Sequence, residues 1–221
     1  MKNASHKDVK RTAENCIGQI SRHFQELNWT DPDVYAAWLS QTYYYVRYTT
    51  RFVAFAAGRC RLEEEPLFSK LVQGLTEEKG HDVLATRDLQ ALGRKISEFR
   101  ECAETAAYHQ TLFRNIDVHG PAAILGYSIP LEGVAAIGIA PALKIIVQTY
   151  GQAGSNFLRT HCELDEGHFT EAFGFLENLG TPTLAVVNQH LELSTALYLG
   201  ILEAVPRLAK ETRLQKSPKA A

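Results

Sequence analysis

The sequence predicts an all-α protein, a single bundle of seven helices. Three observations predict it. Apolar residues recur at helical spacing through almost the whole chain. The breaks between these stretches are short and carry proline, glycine and capping residues. No stretch shows period-2 alternation bounded by hairpin turns, so strands are not expected. No repeat of about 34 residues or similar period is visible, which disfavours a solenoid, and no linker divides the 221 residues.

The first helix spans about 7–27, with Ile17, Ile20 and Phe24 on one face. Asn28-Trp29-Thr30-Asp31-Pro32 stops it and starts the next, with Asp31 as N-cap and Pro32 at the first helical position. The second, 32–57, is rich in aromatic residues (Tyr35, Trp38, Tyr43, Tyr44, Tyr45, Tyr48, Phe52, Phe55) and ends at Gly58. The third covers 66–92 and stops at Gly93; the fourth covers 95–117, before His119-Gly120-Pro121. The fifth, 121–150, contains Pro130 and Pro141, where kinks are expected because proline removes a helical hydrogen bond. The sixth, 155–178, has Ser155 as its cap and Gly180-Thr181-Pro182 as its terminator. The seventh, 182–212, closes a domain spanning 1–221, ordered over about 7–212 with a frayed basic tail at 213–221.

Composition narrows the function classes. A net charge of −2 with 22% charged residues offers no electrostatic basis for binding nucleic acid. No apolar run is expected to approach the ~18 residues of a membrane span, and the richest stretch, 131–147, is broken by Glu132, Pro141 and Lys144. Cys16, Cys60, Cys102 and Cys162 are scattered without zinc-type spacing, and no signal peptide is evident. A cytoplasmic protein with free thiols is the expectation.

Chemistry concentrates in three places. His161, Asp165 and His168 stand at i, i+4 and i+7, so they project from one stripe of the sixth helix, shared with Phe157, Leu164, Ala172 and Phe175. Two imidazoles and a carboxylate on a core-facing stripe are costly to bury unless paired or bound to a cation, and one metal would satisfy all three. Glu78 and His81 form a Glu-x-x-His pair at the spacing by which helical bundles ligate a diiron centre, with Glu77 as an alternative carboxylate. Gly80 and Gly167 each precede a candidate histidine and suggest close helix–helix approach. Glu132 is the lone acid between Asp117 and Glu163, in a Gly/Ala-rich apolar helix, and reads as a helix-start carboxylate or a ligand. Three imidazoles and three carboxylates from three helices suit Fe(II) or Mn(II) better than a closed zinc site.

The order Glu-x-x-His, lone Glu, His-x-x-x-Asp-x-x-His resembles the haem-oxygenase-like diiron oxidases and oxygenases. The phrase Glu77-Glu78-Lys79-Gly80-His81-Asp82 and the order of seven helices with a kinked fifth are similar to that superfamily over 15–208. The resemblance implies a haem-oxygenase-like bundle in which Glu78, His81, Glu132, His161, Asp165 and His168 hold two iron ions, or one manganese and one iron. It implies O2 as co-substrate and a small carboxylate-bearing substrate, a fatty acid or an amino acid, oxidised by desaturation, cleavage or N-oxygenation. It also allows an external electron donor and a homodimer. Arg47 is a candidate partner for the substrate carboxylate.

The Glu-x-x-His spacing is like that of fatty-acid decarboxylases that make terminal alkenes. The branch that makes p-aminobenzoate from its own tyrosine places its first Glu seven residues before the His, where this chain has Gly74, although Tyr43, Tyr44, Tyr45 and Lys144 would suit it. Haem oxygenases would use a histidine such as His23, and a thiaminase II-like hydrolase a nucleophile such as Cys162; relatives of the pyrroloquinoline quinone synthase work without metal. The remaining alternative is a partner-binding module without activity.

Overall fold

The computed structural model describes residues 4–216, the side chains of Leu164, Asp165, Glu166, His168, Gln215 and Lys216 excepted. The described residues form α1 (His6–Glu26), α2 (Pro32–Val46), α3 (Thr49–Ala57), α4 (Glu65–Glu77), α5 (His81–Ala91), α6 (Ala103–His119), α7 (Leu125–Gly133), α8 (Ala140–Tyr150), α9 (Asn156–Leu176) and α10 (Thr181–Lys216), with no strand among them.

Local chemistry explains where these helices start. Ser5 and Asp8 form a reciprocal capping box at α1: the Ser5 hydroxyl accepts from Asp8 N–H at 3.2 Å, and the Asp8 carboxylate accepts from Ser5 N–H at 3.1 Å. Below it, Val9, Ala13, Cys16, Ile17, Ile20 and Phe24 make the buried stripe that faces the bundle. Asp31 caps α2 by accepting from Asp33 N–H at 3.0 Å, with Pro32 in the first turn, as the sequence predicts.

Each of the seven expected helices has its counterpart, but three of them break. The second divides at Arg47-Tyr48, where the Arg47 guanidinium lies over the rings of Tyr43, Tyr44 and Tyr48 at 5.7, 5.2 and 4.9 Å. The third divides at Gly80, whose φ of +90° no L side chain adopts readily. The fifth divides at neither proline: Pro130 sits inside α7 and Pro141 in the first turn of α8, and between them 134–138 forms a wider π turn. A carbonyl of that turn, Gly138 O, accepts from the Gln25 amide of α1 at 2.8 Å. The fourth begins at Ala103 rather than near Lys95, because a short 3-10 turn at 96–98 comes first.

Further expectations need correction. Ser155 occupies the N-cap position of α9 but makes no cap bond; its hydroxyl donates to Gly151 O at 2.8 Å instead. α10 continues to Lys216, and Arg213 within it pairs with Asp33 at 3.1 Å and with Asp31, joining the end of α10 to the start of α2. A Cβ added at Gly80 or Gly167 would meet nothing within 4 Å, so neither glycine marks a close approach. Pro121–Gly138 is long and apolar enough to cross a membrane, contrary to the sequence expectation, and 67% of it is buried inside the bundle.

α10 is the long support on which α1, α2, α6 and α7 pack. At Gly126 the backbone of α7 meets the backbone of α10: a Cβ there would lie 2.6 Å from His190 C and 2.8 Å from Leu191 N. α9 packs on α7 and on α5. α5, α7 and α9 thereby bring together the three segments that carry the candidate ligands.

Candidate metal centre

Glu78 and His81 are not on one helix, as their spacing had suggested. Glu78 is the C-cap residue of α4, its N–H donating to Gly74 O at 3.0 Å, and His81 opens α5 beyond the Gly80 turn. The turn still brings them together, with His81 Nδ1 3.2 Å from Glu78 Oε2. His81 is buried.

From α9, His161 comes to the same point. Its ring centroid is 4.7 Å from that of His81, with the planes at 72°. One ligand atom each from Glu78, His81 and His161 all lie within 4.8 Å of one another. Of the two alternatives, Glu78 supplies this carboxylate, while Glu77 accepts from the Gln73 amide at 2.8 Å. The Nδ1 of His161 lies 2.7 Å from the carbonyl of Phe157, one turn back. A carbonyl can only accept, so Nδ1 carries a proton, and Nε2 is the nitrogen through which this ring would ligate a metal. Metal-binding histidines are oriented in this way.

The start of α9 is held from α5. Asp88, fully buried, accepts from Asn156 N–H at 3.0 Å, Phe157 N–H at 2.8 Å and the Asn156 side-chain amide at 3.0 Å. Burial pushes its pKa up, and these donors, with Arg159, oppose the rise. Asp88 lies two turns after His81, so one helix supplies both an imidazole and the cap that fixes the base of α9.

Glu132, from the last turn of α7, lines a cavity of about 160 Å³ together with Glu78 and His161. Tyr127, one turn earlier, is buried on the same wall. Burial raises its pKa strongly, the Thr49 hydroxyl 3.3 Å away opposes this, and the Glu78 and Glu132 carboxylates add to the rise. The rest of the wall is mainly apolar, including Phe24, Trp38, Leu125, Leu131, Ile139 and Phe157. Lys70 is the sole Lys or Arg among the described wall residues, 3.9 Å from Glu171 across the cavity rim.

A family model described as iron-containing redox enzyme matches residues 36–194. The chain belongs to that family. No curated protein matches it in sequence. Among solved structures it is similar to a domain of unknown function with a haem-oxygenase-like fold from Shewanella denitrificans OS217. The TM-score is 0.78 at 24% identity, covering 97% of this chain and 94% of that one. It is also similar to a TenA homologue from Pseudomonas syringae pv. tomato DC3000, with a TM-score of 0.76 at 14% identity, covering 91% and 92%. The fold is therefore all-α and haem-oxygenase-like.

The remaining expected residues fall as follows. The side chains of Asp165 and His168 lie outside the described residues. Arg47 does not line the cavity; it is held among three tyrosine rings and donates to the Tyr48 hydroxyl at 3.1 Å. Lys144 is exposed, and neither Cys162 nor His23 is on the cavity wall. His23 instead sits with Nδ1 3.0 Å from the Gln19 carbonyl. None of the four cysteines is in a disulfide. Sequence reasoning missed Asp88 and Tyr127. Asp88 had a signal, an acid on the buried stripe of α5 beside Ala85 and Leu89; Tyr127 had none, since any buried tyrosine in an apolar helix reads as packing.

Proposed function

We propose that this protein is a non-haem diiron oxidase or oxygenase that activates O2 to oxidise a small carboxylate-bearing substrate. The observation that carries the reading is the convergence of Glu78, His81 and His161 to within 4.8 Å, with Glu132 on the same cavity wall. The donor set fits iron: mixed imidazole and carboxylate ligands, with one histidine already fixed in the ligating tautomer by Phe157. Glu78, His81, Glu132 and His161 would hold the metal, with Asp165 and His168 proposed from their spacing on α9. Two iron ions, or a manganese–iron pair, would supply the electrons that reduce O2 and the oxidising power that acts on the substrate.

The chain itself binds, orients and excludes water. A cavity of about 160 Å³ holds a ligand close to benzene in size, since an engineered apolar cavity of about 150 Å³ binds benzene. That favours an amino acid or short acid over a long fatty acyl chain. Apolar walls keep water from the reacting atoms. Lys70 at the rim is placed to pair with a carboxylate in exchange for Glu171. Tyr127 keeps its phenol proton and so remains a hydrogen-bond donor beside Glu78 and Glu132. A thiaminase-like reading finds no cysteine among the described wall residues.

The test is anaerobic Fe(II) titration, expected to reach about two irons per chain, followed by oxygen uptake. His161→Ala and Glu78→Ala should each lower iron content while the helical circular dichroism is retained. A chain that binds no iron, with both variants indistinguishable from it, would sink the proposal.

A further inference from the structure

Four tyrosines that a purely apolar core would not need are buried together: Tyr45, Tyr108, Tyr127 and Tyr198. Phenylalanine fills such space without a hydroxyl to desolvate. Tyr127 stands on the cavity wall with Glu78 and Glu132, and Tyr45, Tyr198 and Trp38 line the same cavity. Tyr127 contacts Tyr108 at 5.5 Å between centroids, and Tyr108 contacts Tyr198 at 5.8 Å. From Trp38, on that wall, oxidisable rings continue outward. Trp38 stacks on Tyr35 at 6.0 Å, and Tyr35 stacks on Tyr150 at 4.8 Å. Tyr150 is half-buried and reaches solvent, its hydroxyl donating to Trp29 O at 2.9 Å.

We propose that these rings form a relay that carries oxidising equivalents from the metal site to Tyr150 when no substrate is present, a protective function that rests on the diiron reading. Tyrosine and tryptophan are readily oxidised by one electron, and touching rings pass electrons efficiently. The oxidant is hydrogen peroxide reduced at the bound iron. One peroxide takes up two electrons and two protons and leaves as two waters. The electrons and protons come from two phenol O–H bonds, leaving two phenoxyl radicals. At Tyr150 each radical regains one electron and one proton from a thiol- or ascorbate-class reductant, or two radicals couple ring to ring as dityrosine.

The experiment uses the full chain loaded anaerobically with Fe(II), its iron content measured and the iron then oxidised to Fe(III) and freed of excess oxidant, before a dose of equimolar hydrogen peroxide without substrate or reductant, so that the electrons the peroxide takes up come from the protein. Peptide mass spectrometry and dityrosine fluorescence read where oxidation falls. The expected result is modification concentrated at Tyr150. In Trp38→Phe or Tyr35→Phe it should drop several-fold while oxidation rises at Tyr127 and at His81 and His161. Tyr35→Phe, which keeps the ring, serves if Trp38→Phe does not fold; circular dichroism decides. Iron-loaded protein whose Tyr150 modification is unchanged by both substitutions, or whose oxidation never leaves the ligands, overturns the relay and leaves the metal reading standing. Failure to retain iron overturns both.

Discussion

Removing Asp88 tests whether the cap on α9 also positions His161. In Asp88→Ala the first-turn N–H groups of Asn156 and Phe157 and the Asn156 amide lose their acceptor. Asn156 is half-buried, so water recovers part of its loss; Phe157 is buried, and its stranded N–H bears the full desolvation cost. With about 1–3 kcal/mol for a buried donor and about 1 kcal/mol for a lost cap, the expected destabilisation is about 3 kcal/mol. For a chain of this length that is roughly 10 °C in Tm. Because Phe157 O orients the His161 ring, loosening this turn should also weaken iron binding, by about tenfold at least. Asp88→Asn keeps one acceptor oxygen and should recover about half of both effects. The assays are urea unfolding of the apo chain and Fe(II) titration of the same variants. A stability loss under about 1 kcal/mol would refute the capping argument. The expected stability loss with unchanged iron affinity would show that the cap has no part in positioning the histidine.

Two further outcomes follow from packing and burial. Gly126→Ala places a Cβ against the His190 and Leu191 backbone, which cannot yield as a side chain can; about 3 kcal/mol of stability should be lost, read by urea unfolding, and a near-neutral variant would contradict the backbone contact. His190 is buried, both its ring nitrogens lack a hydrogen-bond partner among the described residues, and burial, with His119 nearby, lowers its pKa from 6.5 to about 4. Since the folded value lies below the unfolded one, the neutral ring's contribution is complete above pH 6.5 and is lost as pH falls towards 4, to a total of roughly 3 kcal/mol. His190→Gln should lose less stability than the native chain over that interval; parallel losses would remove His190 as the cause.

Periodicity exposed the helices because burial of one face is written locally, residue by residue, and this is why α1, α2 and α9 begin close to where their sequences indicate. The breaks inside the longer helices were less legible. Pro130 and Pro141 marked the fifth helix as irregular, but the π turn formed between them, where Gly138 O found the Gln25 amide of α1 as a substitute partner. The third helix divides because Gly80 takes a left-handed φ; an isolated glycine in a helical pattern is equally compatible with mere tolerance. The pairing of Arg213 was not legible because its partners, Asp31 and Asp33, lie at the other end of the chain.

The candidate site shows the same division at finer scale. Residue types and spacing selected Glu78, His81 and His161, and the folded chain brings these three together although the helix assumed for the first two is interrupted. Interruption suits a site of this kind. A continuous helix would hold Glu78 and His81 by i,i+3 geometry alone, whereas a cap residue, a left-handed glycine and a helix start let each side chain be aimed separately. The control of His161 is invisible at the level of motifs, because it passes through main-chain atoms: Asp88 grips two N–H groups of α9, and a carbonyl one turn before the imidazole sets its tautomer. Ser155 was the obvious cap by residue type, yet a cap from α5 does what a local serine could not. It ties the helix carrying His161 to the helix carrying His81, so the separation of the two imidazoles is fixed by the same contact that closes the end of α9.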